Sequence, residues 1–326
     1  MMQDTFQPGP FVEPVDVPPE QFPESTWSSP GMKILEADLT PRHGIAMLGI
    51  TYGRKSDRDL HVQVVLPPMR ASAGPVPGTA ERFPLIVYVQ GSAWMDQALG
   101  QSLLPLAEFA KRGYVIAIVE YRPSRIAAVP AQVRDTRTAI RFLRDHAAEY
   151  FIDTERMVLW GDSSGGHTTL LTCLTEGEQE YSDEPVADEP LGICCYVDYY
   201  APTHIARMNE VPSIQNHIEP TSPEGMLIGG NNVLERPDLV APTVAMNHID
   251  RDRPLKPLLI IHGNKDRLVP FAQSVLLYDA LLEAGQPVDF YQLRGADHAG
   301  HAFWQEPVLD IVDDFIRAHL PTGQAS

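Results

Sequence analysis

The chain has 326 residues, of which 44% are hydrophobic and 21% charged, and its formal net charge is −18. At about 100–200 residues per domain the length allows one large domain or two small ones, and the apolar share suffices for a sizeable core. The acidic excess argues against a nucleic-acid surface and against adhesion to anionic membranes.

Three cysteines are too few for a disulfide framework. Cys194 and Cys195 are adjacent in an apolar run and read as buried free thiols. Met1 to Glu24 lacks the basic start and apolar core of a secretory signal. No apolar run is long enough for a transmembrane helix, so the expected location is the reducing cytoplasm.

Residues 1–45 read as a proline-rich arm. It is either disordered or laid across the body, with Phe6, Phe11, Phe22 and Trp27 as candidate anchors. Residues 46–326 read as one α/β domain. Leu48 to Leu66 alternates loosely around Gly53 and predicts two antiparallel strands, and Ala71 to Ala80 predicts a loop. Pro84 to Val89 and Tyr114 to Val119 are continuous apolar runs, read as buried strands, with a helix over Ser102 to Arg112 between them. Ala131 to Tyr150 carries Val133, Thr136, Ile140, Leu143 and Ala147 three and four apart, an amphipathic helix. Met157 to Trp160, Ile193 to Tyr199, Pro257 to Ile261 and Val288 to Leu293 predict further strands. Thr168 to Leu174, Ser274 to Ala284 and Pro307 to His319 predict helices. Strands alternating with helices imply a mostly parallel sheet covered on both faces, with sites at the carboxyl ends of its strands. Residues from about 202 to 252 break the alternation and read as an insertion forming part of a cap.

Gly161-Asp162-Ser163-Ser164-Gly165 sits between a strand and a helix, the setting of a nucleophile elbow. Side chains at 161 and 165 would collide with neighbouring chain in so tight a turn. Ser163 is the candidate nucleophile; Ser164 lacks a glycine two places before it. Asp162 reads as structural. A serine hydroxyl needs a base, and the base needs a group to orient it. Asp266 follows an apolar strand in a turn containing Gly263, and His298 follows the next strand, so the chain order is Ser, Asp, His. His301 is the rival base. His298 with His301 as a metal pair lacks a third ligand, so no metal is expected. The backbone N–H of Ser164 is one expected oxyanion donor. The loop Gln90-Gly91-Ser92-Ala93-Trp94 supplies the other, from Ser92 first and Ala93 second.

With these stretches, Tyr121-Arg122, Pro130 to Asp135 and Phe303-Trp304, the chain resembles an α/β-hydrolase of the esterase/lipase group. It is most similar to the bacterial feruloyl-esterase-like branch related to hormone-sensitive-lipase-type esterases. The resemblance runs from about Ile50 to His319. It implies a serine carboxylesterase for small acyl or aryl (feruloyl-like) esters, working through an acyl-enzyme without a cofactor. An aryl-formamidase on the same triad is the alternative, and a non-catalytic binding protein of this fold a remoter one. The family shows His-Gly-Gly where this chain has Gln90-Gly91-Ser92. Ser92 is thereby placed to add its hydroxyl to the site. Trp94 and Trp304 are candidate substrate contacts, with core packing the alternative for each. His204, His217 and His248 read as surface residues of the cap. The expected partner is a small-molecule ester. Whether the arm closes the active site or joins a second subunit in a homodimer is left open.

Overall fold

The computed structural model describes residues 9–69, 81–185 and 190–322. The strands are β1 (Ile45–Lys55), β2 (Arg58–Leu66), β3 (Phe83–Val89), β4 (Val115–Val119), β5 (Ile152–Asp162), β6 (Ile193–Tyr199), β7 (Leu258–Gly263) and β8 (Val288–Leu293). They form one eight-stranded sheet in the order β1-β2-β4-β3-β5-β6-β7-β8. β2 runs antiparallel to both β1 and β4, and every other pairing is parallel. The β1–β2 hairpin turns at Ser56 and Asp57, both at positive φ (50° and 56°), not at Gly53. Two consecutive positive-φ residues match the right-handed twist of the flanking strands. Gly53 lies within β1 opposite Leu60.

The apolar runs alternate between the two sheet faces. In β3, Leu85, Val87 and Val89 enter one core, while Ile86 and Tyr88 enter the other. The first core is closed by α2 (Ala131–Asp145), α3 (Ser164–Leu174) and α6 (Ala272–Glu283), the second by α1 (Leu103–Ala110) and α7 (Glu306–His319). α2 ends five residues before the predicted Tyr150, at Asp145. The His146 ring donates from Nδ1 to the Phe142 carbonyl (2.8 Å), and Phe151 adopts φ 57°, so the chain turns back into β5. α3 begins at Ser164, earlier than predicted, because Gly165 and Gly166 are helical here.

The 202–252 insertion holds α4 (Pro223–Leu227), α5 (Pro237–Val240) and short 3-10 turns. Its apolar residues Ile205, Leu227, Val233, Val240 and Val244 pack around Trp94. Between residues 9 and 44 the only helical element is a 3-10 turn, Pro19–Gln21. Phe11 and Trp27 are 80% and 90% exposed, and Phe22 is exposed too, so none of these side chains is anchored on the body. Phe6 and the predicted loop 71–80 lie outside the described residues. Cys173 and Cys195 are buried free thiols, whereas Cys194, on the opposite face of β6, is partly exposed. No helix among the described residues is long and apolar enough to cross a membrane.

Candidate active site

β5 delivers Ser163 at φ 52° and ψ −124°, and α3 starts at the next residue. A serine held at positive φ is strained backbone, and the glycines make the turn feasible. A Cβ on Gly165 would lie 1.9 Å from the Val89 carbonyl oxygen, and one on Gly161 2.3 Å from the Gly165 carbonyl oxygen. The Ser163 N–H donates to Tyr199 O of the neighbouring strand (2.8 Å), which ties the elbow to β6.

The loops after β7 and β8 bring Asp266 and His298 to this serine. His298 Nε2 lies 3.0 Å from Ser163 Oγ, and its Nδ1 lies 2.7 Å from Asp266 Oδ2. A carboxylate oxygen only accepts, so Nδ1 carries the proton and Nε2 is free to accept from the serine hydroxyl. The Asp266 side chain is fully buried and that of His298 nearly so. Burial alone would raise the Asp266 pKa, but hydrogen bonds from His262 and His298 outweigh it and hold the carboxyl below its usual range. Asp266 Oδ1 accepts the N–H groups of Leu268 (2.9 Å) and Val269 (2.8 Å). Arg267 and Asp297 clamp the two loops together, with Arg267 Nε donating to Asp297 Oδ2 at 2.6 Å. The Tyr200 ring meets the His298 ring edge-on, centroids 4.8 Å apart. His301 is exposed and lies in the 3-10 turn beyond. No group of three or more metal-ligating side chains occurs among the described residues.

A second histidine, unforeseen from the sequence, shares the acid. His262 on β7 is fully buried, and its Nε2 lies 3.1 Å from Asp266 Oδ2 and 3.0 Å from Val269 O. Both are acceptors, so this nitrogen carries the proton, while Nδ1 faces the Ser274 hydroxyl at 2.7 Å. The signal was the four-residue spacing between His262 and Asp266 across the strand end.

The donor loop corrects the order of the expected oxyanion groups. The Ser92 N–H is engaged by Ser164 Oγ (2.8 Å) and is not free. The Ser92 hydroxyl turns to Met95 O (2.7 Å) and Tyr121 OH (2.9 Å), and does not enter the site. Ala93, at φ 54°, has an N–H with no acceptor among the described residues. Ser164 is the first residue of α3, whose N–H has no intrahelical acceptor either. Ala93, Trp94, Ser163 and Ser164 line one cavity, of about 280 Å³ including its open mouth. The insertion adds Gln215, His217 and Glu224 to the lining, and the Asp266 loop adds Leu268 and Val269.

Trp94 thus lines the cavity, although it is 1% exposed and its indole N–H donates to His167 Nδ1 (3.2 Å). Trp304 does not: its ring packs on Trp160 (5.7 Å) and Tyr88 (6.3 Å) at the edge of the second core. His217 is not a surface residue but 1% exposed within the cavity wall. His204 and His248 are half-buried rather than free on the surface. Asp162 is structural: its Oδ1 accepts from Tyr88 OH (2.7 Å) and the Gly91 N–H (2.9 Å), fixing the donor loop beside the elbow. Burial raises its pKa, against those hydrogen bonds.

The eight-stranded sheet, the strand–serine–helix elbow and the loops converging on it define an α/β-hydrolase of the esterase/lipase group. The chain belongs to the BD-FAE family, whose model matches residues 75–281. Among relatives, it is 25% identical over 244 residues to Esterase LipQ of Mycobacterium tuberculosis, across 72% of this chain and 55% of that protein. It is 26% identical over 235 residues to the probable carboxylic ester hydrolase LipM of the same organism, across 68% and 50% of the two. The chain therefore spans about half the length of the curated relatives it matches. Among solved structures, a truncated carbohydrate esterase from gut microbiota superposes with a TM-score of 0.73 at 26% identity, covering 87% of this chain and 98% of the other.

Proposed function

We propose that the chain is a serine carboxylic ester hydrolase acting on small acyl or aryl esters, with Ser163, His298 and Asp266 as its triad. The carrying observation is the hydrogen-bonded line from Asp266 Oδ2 through His298 to Ser163 Oγ, at 2.7 and 3.0 Å, opening into a cavity that also holds the N–H-bearing residues Ala93 and Ser164. The esterase names of the relatives support the same class of reaction.

As Ser163 Oγ bonds to the ester carbonyl carbon, its proton passes to His298 Nε2. The carbonyl oxygen becomes an oxyanion between the Ala93 and Ser164 N–H groups, at the N-terminus of α3 where negative charge is favoured. Asp266 stabilises the imidazolium through Nδ1–H. The tetrahedral adduct collapses, the bond to the alcohol oxygen breaks, and that oxygen takes the proton from Nε2. Water then attacks the acyl-enzyme while His298 accepts its proton, and the second collapse returns a proton to Ser163 Oγ and releases the acid. Three side chains, two backbone N–H groups and water are assigned to these steps. An acyl or aryl group packs against Trp94, without Trp304. The free cysteines fit a reducing, cytoplasmic setting.

Ser163→Ala tests the reading. Turnover of p-nitrophenyl acetate should fall by about 10⁴-fold or more in kcat. Near-wild-type hydrolysis by the folded variant would sink it.

A further inference from the structure

Two titratable side chains of the insertion lie in the cavity wall, and the reaction above uses neither. Glu224 and His217 are 3% and 1% exposed. Glu224 stands in the first turn of α4, whose start is capped by Ser222 Oγ accepting the Gly225 N–H (3.0 Å). A Cβ on Gly225 would lie 2.2 Å from Glu219 O, and Leu227 O accepts the Val129 N–H (3.0 Å) from the main body. The helix is therefore held in one place. Glu224 Oε1 accepts from His217 Nδ1 (2.8 Å). His217 Nε2 lies 2.9 Å from Ser213 Oγ and 3.1 Å from Leu268 O. Leu268 in turn donates its N–H to Asp266. The pair is thus braced against the loop that carries the triad acid.

Glu224 Oε2 has no such partner: it is buried and accepts no hydrogen bond from the described residues. Buried polar atoms are almost always satisfied, and one left unsatisfied in a ligand cavity is a group that the ligand completes. We propose that Glu224 is a specificity-determining residue, its Oε2 accepting a hydrogen bond from a hydroxyl carried by the acyl or the alcohol part of the ester. This rests on the hydrolase reading above. A hydroxyl suits the place better than an ammonium group. One oxygen of the carboxylate already has a donor, and Pro202, Pro223, Leu268 and Val269 give the cavity an apolar lining in which a full cation would be poorly solvated.

The experiment compares kcat/KM for paired esters on the full chain. One pair is p-nitrophenyl 3-hydroxybutyrate against p-nitrophenyl butyrate, for a hydroxyl on the acyl side. A second is glycerol 1-acetate against propyl acetate, for the alcohol side. A third, acetylcholine against 3,3-dimethylbutyl acetate, varies charge without a donor. The wild-type protein should favour the hydroxylated member of at least one pair by about tenfold or more. In Glu224→Gln the amide oxygen must keep accepting from His217, which leaves an NH2 donor where Oε2 was; the substrate hydroxyl can then only accept a neutral hydrogen bond in place of donating to a charged oxygen, so the preference should shrink by severalfold or more. Equal rates within both hydroxyl pairs, an unchanged ratio in folded Glu224→Gln, or a charge preference exceeding the hydroxyl preference would each overturn the assignment. If Glu224→Gln does not fold, the wild-type ratios decide. Hydrolysis of none of the six esters, with no labelling of Ser163 by a fluorophosphonate, would instead overturn the hydrolase reading and this assignment with it.

Discussion

Asp266 serves two histidines and two backbone N–H groups at once, and that arrangement makes its replacement by asparagine informative. Leu268 and Val269 both donate to Oδ1, so the amide oxygen of Asp266→Asn must occupy that place. The amide nitrogen then faces His298 Nδ1, which can no longer donate and must accept. The proton moves to Nε2, so that nitrogen points an N–H at Ser163 Oγ instead of accepting from its hydroxyl. We expect kcat for p-nitrophenyl acetate to fall by about 10³–10⁴-fold with the fold retained by circular dichroism; a loss below about tenfold would show that Asp266 does not set the tautomer. The residues of this line were legible from glycine spacing, strand ends and chain order. The hydroxyl lattice of Ser92, Tyr121 and Ser164 was not. It depends on side chains 29 and 43 positions apart meeting under the donor loop, and no local pattern encodes that. His217 looked like a surface residue because the insertion is rich in proline and polar residues, and only its tertiary packing buries it.

At the level of elements, the elbow depends on how closely α3 approaches β3. Gly165 lets the first turn of the helix rest on the backbone at Val89, and a methyl group there would lie 1.9 Å from a carbonyl oxygen that cannot move without breaking the sheet. Gly165→Ala should therefore cost more than about 3 kcal/mol in urea unfolding. Gly100→Ala is the control: a Cβ there has no atom within 4 Å, and the change should stay within about 0.5 kcal/mol. Similar costs for the two would refute this account of the elbow glycine. The central strands were readable because a strand buried on both faces needs an uninterrupted apolar run. Helix ends were less so. The α2 periodicity continues to Ala147, but its continuation past Asp145 is given up when Phe151 turns the chain into β5. Gly165 and Gly166 disguised the start of α3, since glycine is unfavourable within a helix unless close packing demands it.

For the whole molecule, His167 is the point where main domain, donor loop and insertion meet. Its Nδ1 accepts the Trp94 indole N–H, and its Nε2–H donates to Thr243 O (2.8 Å) across the insertion. Accepting from Trp94 requires the neutral ring, and burial pushes its pKa down from 6.5 to about 4 although the bond to Thr243 O favours the charged form. The unfolded chain binds this proton below pH 6.5, while the native chain refuses it until about pH 4. Stability from this group is therefore complete above pH 6.5 and is lost as pH falls towards 4, by about 3 kcal/mol in all. Asp162 and Asp198, whose carboxyl pKa values burial raises, act with the opposite sign, so the wild-type curve alone does not isolate the histidine. The difference between wild type and His167→Gln does, because the carboxyl contributions are common to both. Urea midpoints at pH 7.5, 5.5 and 4.0 should show the stability advantage of the wild type shrinking steadily towards acid. If that advantage were the same at all three pH values, His167 would not be held neutral, and the junction between the Trp94 loop and the insertion would have to be stabilised by apolar packing alone.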